Sequence, residues 1–177
     1  MTAVLVGVLS GVYHSSTIFA TEFLDLFSMF TFSAYALIVT LHRSGVGTVR
    51  GLVGAYFALV AGSLAAMLLV RPIGVFVFAA QVIAVLVLEW RIFQGQSAGA
   101  DRIDYRHLKA LLTCFLVALA AWVPDYTRLI CVPDDHLLQG HATWHVVNSF
   151  CFYFLYRFYR QFDFGGGARR GVSRPGW

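Results

Sequence analysis

The sequence contains few charged residues. Only 12% of its 177 residues are charged, whereas 59% are hydrophobic and the mean hydropathy is +0.72. A soluble domain has about 25% charged residues, so this chain cannot cover a water-exposed surface with polar groups. We therefore expect an all-α integral membrane protein in which lipid surrounds part of the surface. The length allows one helical bundle and no second soluble domain.

Cysteines are also scarce. The three cysteines, Cys114, Cys131 and Cys151, form no CxxC pair, which argues against a disulfide scaffold. The net charge of +4 is small, and the 13 basic residues are not clustered on one face of a soluble domain. They lie between apolar runs, where membrane topology explains them better than nucleic-acid binding does.

Long apolar runs make up most of the sequence. A helix that spans a bilayer needs roughly 20 mostly apolar residues, and we expect six such helices, at 1–17, 22–42, 51–70, 73–92, 107–124 and 138–159. The first run lacks a basic start and a small-residue cleavage site, so we predict a helix and not a signal peptide. We expect one transmembrane helical domain over 1–164 and a disordered cytoplasmic tail over 165–177, where glycines and arginines concentrate.

The basic residues predict the orientation of the six helices. With an even number of spans, the N-terminus, two loops and the tail share one side, and by the positive-inside rule this side is cytoplasmic. Both termini are then cytoplasmic. We expect Glu89 and Trp90 to be interfacial anchors on this side. Eleven of the 13 basic residues lie there: Arg43, Arg50, Arg91, Arg102, Arg106, Lys109, Arg157, Arg160, Arg169, Arg170 and Arg174.

Polar residues inside the apolar runs are candidates for function, because an ionisable group at a helix centre costs about 2.5–3.5 kcal/mol on insertion scales. His141 and His145 are four residues apart, so their rings share one helix face and can present two nitrogens to one metal ion. Ser10 and His14 have the same spacing. Interhelical hydrogen bonding by histidine is the common alternative.

Depth in the membrane brings these positions together. In the predicted topology His14 lies near the outer end of its helix, Asp25 near the outer start of the next, and His141 and His145 in the first turns of the last. We therefore expect one site in the outer half of the bilayer. Glu22, one turn before Asp25, could replace it as the acid.

Two stretches resemble motifs of the alkaline ceramidases. Ser10-Gly-Val-Tyr-His14 followed by Phe23-Leu24-Asp25 is similar to their S-xxx-H … L-D motif. In the second half, the family's W…D…C…HA-x-WH signature is matched by Trp122, Asp125, Cys131, His141, Trp144 and His145. The wider superfamily includes the adiponectin/progestin receptors and shares the serine, the aspartate and the three histidines.

The resemblance implies a site and a reaction. His14, His141 and His145 are expected to bind zinc, Asp25 to act on the water, and Ser10 to lie in the same site. The expected substrate is a ceramide-like lipid, cleaved at its amide to a sphingoid base and a fatty acid. Two alternatives stay open: a related phospholipase that cleaves ester lipids, and a receptor-like membrane protein whose zinc is structural.

The chain departs from the family in one respect. Members usually have seven helices, and in some ceramidases an acidic segment before the first binds calcium, whereas this chain begins almost at the serine motif. Either a minimal form or an incomplete N-terminus accounts for this, so calcium regulation is not carried over. The composition, rich in Ala, Val, Gly and Arg, favours a bacterial protein, and we therefore expect it in the bacterial inner membrane.

Overall fold

The computed structural model describes residues 2–16, 18–96, 103–129 and 139–162. These residues form six α-helices and no strand, which confirms the all-α prediction. They divide into two compact units, a first unit with α1 to α4 and a second unit with α5 and α6. The helices are α1 Thr2–Ser16, α2 Phe19–Arg43, α3 Val49–Leu69, α4 Ile73–Gln94, α5 Arg106–Tyr126 and α6 Gly140–Tyr159.

Four of these helices, α2 to α5, are long and apolar enough to cross a membrane. Large apolar side chains stay exposed on them, among them Phe57 at 65%, Leu69 at 84% and Phe76 at 71%. Apolar surface of this kind is stable against lipid and not against water, so the chain is a membrane protein. Whether α1 and α6 also span the bilayer remains a prediction.

The helix boundaries follow from local signals. Gly45 and Gly47, after α2, have φ angles of +74° and +79°, which side chains with a Cβ rarely adopt. The Thr48 side chain then accepts a hydrogen bond from the Gly51 N–H at 3.2 Å and caps α3. Pro72 comes directly before α4, where a residue without a backbone N–H loses no hydrogen bond.

Helix α2 is the centre of the first unit and packs against α1, α3 and α4. Phe30 and Ala34 of α2 are fully buried. Gly74 of α4 allows a close approach, because a Cβ there would lie 3.2 Å from Leu26 of α2 and 3.4 Å from Met67 of α3. Small residues at such crossings let helices pack closely where no hydrophobic effect drives them together.

Buried polar side chains cross-link α2, α3 and α4. The Ser33 hydroxyl donates to Gln81 Oε1 at 2.6 Å, and Gln81 Nε2 donates to Ser63 Oγ at 2.8 Å. Towards the end of α2, Glu89 forms an ion pair with Arg43 and accepts a hydrogen bond from Thr40 at 3.3 Å. These contacts satisfy polar groups that lipid could not.

The expectation that Glu89 is an interfacial anchor is wrong. Its exposed fraction is 2%, and the side chain of its partner Arg43 is 5% exposed. A carboxylate inside a bundle is retained when a cation compensates its charge, and Arg43 provides that cation from α2. Trp90, beside Glu89, is 60% exposed, as expected of an interfacial residue.

The second unit is a pair of helices held together by aromatic side chains. Tyr105 lies against the buried ring of Phe158, and Phe115 packs on Trp144, with centroid distances of 5.5 and 5.6 Å. The helix predicted over 107–124 extends past Pro124 to Tyr126. The predicted tail 165–177 lies outside the described residues, as does Cys131.

Candidate functional site

In the first unit, the short connection between α1 and α2 brings Ser10 level with Asp25. The chain turns near Ile18, eight residues after Ser10 and seven before Asp25. At 1.5 Å per residue, both lie about 11 Å from the turn. The Thr21 side chain fixes the turn, because its hydroxyl donates to the Ile18 carbonyl at 2.9 Å and accepts from the Ile18 N–H at 3.2 Å.

The Asp25 carboxylate lies among groups suited to proton transfer. The Ser10 hydroxyl lies beside it, and His14 is close enough to interact with it electrostatically. Ser10 is buried, with an exposed fraction of 8%, whereas His14 is exposed. Among the described residues, Oδ1 of Asp25 is a buried oxygen that accepts no hydrogen bond. Such an atom is costly in a purely structural role, and it is available to a water or a substrate.

Glu22, the alternative acid, is engaged elsewhere. Its carboxylate forms an ion pair with Arg71 at 3.0 Å, and both side chains are well exposed. The Arg71 guanidinium also lies over the ring of Phe19, 4.5 Å from its centroid. Glu22 therefore belongs to a surface ion pair at the start of α2.

In the second unit, His141 and His145 face each other in the first turns of α6. Their Nε2 atoms are 3.0 Å apart, and their ring centroids are 4.8 Å apart. Two imidazole nitrogens that bind one tetrahedral zinc ion at 2.0–2.1 Å lie about 3.4 Å from each other. The pair therefore fits zinc after a small adjustment of the side chains.

Two residues fix the start of α6 against α5. The Asp125 carboxylate accepts a hydrogen bond from the His141 backbone N–H at 2.8 Å, and a negative charge is favourable at the N-terminus of a helix. Gly140 permits this contact, because a Cβ there would overlap the Ala121 carbonyl oxygen and lie 2.7 Å from the Asp125 Cβ. The helix that carries both histidines is thus anchored at its first residues.

Trp122 determines which nitrogen of His141 is protonated. Its indole N–H can only donate, and it does so to His141 Nδ1 at 3.2 Å. Neutral His141 then carries its proton on Nε2, facing His145 Nε2. The contact with Trp122 also helps to fix the orientation of the His141 ring.

The third predicted zinc ligand, His14, belongs to the first unit and lies in the last turn of α1. Its side chain is exposed. Three imidazoles are a typical ligand set of catalytic zinc, with a fourth position left for water or substrate.

A comparison with protein families identifies the chain. A family model described as Ceramidase matches residues 1–168. The chain belongs to the ceramidase family. Membership supports a ceramidase-like hydrolase that acts on a lipid amide, and it confirms the resemblance found in the motifs. No curated protein and no solved structure matches the chain significantly.

For this member of the ceramidase family, sequence reasoning did not assign the contacts that support the histidines. Trp122 and Asp125 were recognised only as parts of a signature, whereas the structure shows that both hydrogen-bond to His141. A partial signal was present, since Asp125 follows a proline near the end of an apolar run. Nothing in the sequence indicated that position 140 requires glycine, because this requirement comes from the Ala121 carbonyl in another helix.

Proposed function

We propose that the protein is a zinc-dependent hydrolase that cleaves the amide bond of a ceramide-like lipid within the membrane. The products are a sphingoid base and a fatty acid. The proposed zinc ligands are His14, His141 and His145, and the proposed catalytic residues are Asp25 and Ser10. The observation that carries the proposal is the histidine pair at ligand spacing in a chain of the ceramidase family.

Each protein group has a defined part in this reaction. Asp25 takes a proton from the attacking water, whose oxygen bonds to the amide carbonyl carbon. When the carbon–nitrogen bond breaks, Asp25 returns the proton to the leaving amine. Oδ1 of Asp25, which accepts no hydrogen bond from the part of the chain that the structure describes, supports this role. The Ser10 hydroxyl, beside that carboxylate, stabilises the oxyanion by donating a hydrogen bond.

Zinc, when bound, supplies a Lewis acid that makes water a competent nucleophile near neutral pH. The three histidines are the residues that would hold the ion. Asp125 and Gly140 hold the start of α6, so that the side chains of His141 and His145 enter the site from a fixed backbone.

We also propose a multi-pass arrangement in a bacterial inner membrane, with six spans, cytoplasmic termini and the site towards the extracytoplasmic side. The distribution of basic residues supports it, because 11 of the 13 fall on one side of a six-span topology. Four of the six proposed spans are helices that are long and apolar enough to cross a membrane.

Turnover of a lipid panel tests the function. Detergent-purified protein is given labelled ceramide, phosphatidylcholine and a simple acyl ester, before and after removal of metal by a chelator and after addition of zinc. We expect release of fatty acid from ceramide, its loss on chelation, and its recovery with zinc. The His42→Ala variant is the control, because this exposed histidine lies at the far end of α2.

The alternatives give different results. Release from the ester lipids and not from ceramide would replace the amide hydrolase by a phospholipase-like enzyme. No turnover of any lipid, together with a lower Tm after chelation, would indicate a structural zinc in a receptor-like protein. Turnover that is insensitive to chelation would contradict the proposed role of zinc.

A further inference from the structure

A second polar site lies in the second unit, at the end remote from the histidine pair. A cavity of about 240 Å³ opens between the start of α5 and the end of α6. Three arginines and one aspartate contribute to its wall, so positive charge exceeds negative by two. The lining residues are Asp104, Arg106, His107, Arg157, Arg160 and Gln161.

One wall of the cavity is held in place by Gln161. Its amide nitrogen donates to the Asp104 carbonyl at 3.2 Å, and its amide oxygen accepts from the Asp104 N–H at 2.8 Å. The Asp104 carboxylate is in turn ion-paired with Arg106 at 2.8 Å and accepts the Arg106 backbone N–H at 2.9 Å. The one carboxylate in the wall is therefore already neutralised.

Arg157 and Arg160 form no ion pair with any residue that the structure describes. Arg157 Nη1 donates to the Tyr153 hydroxyl at 2.9 Å, and Arg160 lies 5.7 Å from the centroid of the Tyr156 ring. Three ion pairs occur in the described ranges, and none includes either arginine. Two guanidinium groups thus line one cavity beside tyrosines, and the one described acid in its wall, Asp104, is ion-paired with Arg106.

The helix ends do not explain this positive charge. The N-terminus of α5 contributes roughly half a positive charge, and the C-terminus of α6, at the same cavity, roughly half a negative one. These contributions offset each other, so the field in the cavity comes from the arginine side chains.

The cavity lies at a membrane boundary. Helix α5 is a candidate span that begins at Arg106, and exposed Tyr153 and Tyr156 surround the arginines. Tyrosine is enriched where lipid headgroups meet the hydrocarbon, and basic pockets at the ends of membrane helices bind anionic headgroups. The volume is below the 300–1,000 Å³ typical of pockets for drug-sized ligands, so it suits a headgroup and not a whole lipid.

We propose that this cavity binds the phosphate group of an anionic phospholipid, with Arg157 and Arg160 as its principal ligands. Guanidinium groups match the oxygens of a phosphate with paired, charge-assisted hydrogen bonds. The site is separate from the proposed hydrolytic centre and does not depend on its chemistry.

Thermal unfolding of the detergent-purified full chain tests the site. Wild-type protein is titrated with dioctanoyl phosphatidylglycerol, with zwitterionic dioctanoyl phosphatidylcholine and with inorganic phosphate. We expect phosphatidylglycerol alone to raise the Tm, with an affinity that falls about ten-fold or more in the R157Q/R160Q variant. The R50Q/R91Q variant is the matched control, since it loses two exposed arginines of the first unit.

Three results would overturn the proposal. Equal stabilisation by phosphatidylcholine would show that charge is not recognised. Equal stabilisation by inorganic phosphate would assign the site to a free anion. Equal weakening in R50Q/R91Q would show only a general effect of net charge. If R157Q/R160Q does not fold, the single Arg160→Gln variant is used, because among the described residues the Arg160 side chain forms no ion pair, and its contact with the exposed Tyr156 ring is easily lost without unfolding.

Discussion

The two units of the protein use polar residues differently. In the first unit, most buried polar groups bond to each other between helices, as Ser33, Gln81 and Ser63 do. In the second unit, the helix contact is largely aromatic, and the polar groups lie at the two ends, around His141 at one and Arg157 at the other. The first unit thus uses polarity to join helices, and the second presents it to ligands.

Asp25 differs from these residues, because its buried Oδ1 accepts no hydrogen bond among the described residues. This difference predicts opposite effects for two kinds of substitution. A change at Asp25 should remove activity and preserve the fold, whereas changes at the paired polar residues should do the reverse.

The largest effect is expected for Asp25→Asn. The amide keeps the shape and cannot accept the proton, so ceramide turnover should fall about 10²–10⁴-fold. The Tm should change little. Turnover is measured at saturating ceramide, and Glu22→Gln is the control. Equal loss in the control, or normal turnover in Asp25→Asn, would return the acid role to Glu22 or to another group.

Glu89→Gln should have the largest effect on stability. Removing one charge of a buried ion pair leaves the other uncompensated, which costs about 3–5 kcal/mol. Glu22→Gln breaks the exposed pair with Arg71 and should cost about 0–1 kcal/mol. Thermal unfolding in one detergent compares the two variants. Similar Tm values would show that Arg43 finds a new partner or reaches water.

Gly140→Ala should disturb the second unit and its histidines together. The new Cβ would overlap the Ala121 carbonyl, so α6 must move, at a cost of about 1–3 kcal/mol. Zinc content and turnover should fall with stability. Gly62→Ala in α3 is the matched control, since a Cβ there meets nothing within 4 Å. An unchanged zinc content in Gly140→Ala would show that the histidines do not depend on this contact.

Gln81→Leu should have the smallest effect. It removes hydrogen bonds to Ser33 and Ser63, and such bonds between membrane helices contribute about 0.6 kcal/mol on average and about 1.7 at most. We expect a small decrease in Tm and normal ceramide turnover. A loss of turnover without a loss of stability would assign Gln81 a part in the reaction.

The sequence predicts the helices well because its apolar runs are long and their interruptions are clear. The i, i+4 spacing of His141 and His145 also predicts their shared face, since it depends on helix geometry alone. Contacts between distant helices are different. Nothing near Glu89 indicates that Arg43, 46 residues earlier, is its partner. From the sequence, Arg157 and Arg160 were interpreted only as cytoplasmic basic residues. The cavity that they line was not predicted, because its wall is formed by residues far apart in the chain.

The most direct test of the central claim is the zinc content of detergent-purified protein. Wild type and His42→Ala are measured beside His14→Ala, which changes the first unit, and His141→Ala, which changes the second. The proposal predicts one zinc per chain in the first two and a loss of zinc in both site variants. Zinc retained in full by His14→Ala, or absent from wild type supplied with zinc, would contradict a shared three-histidine centre.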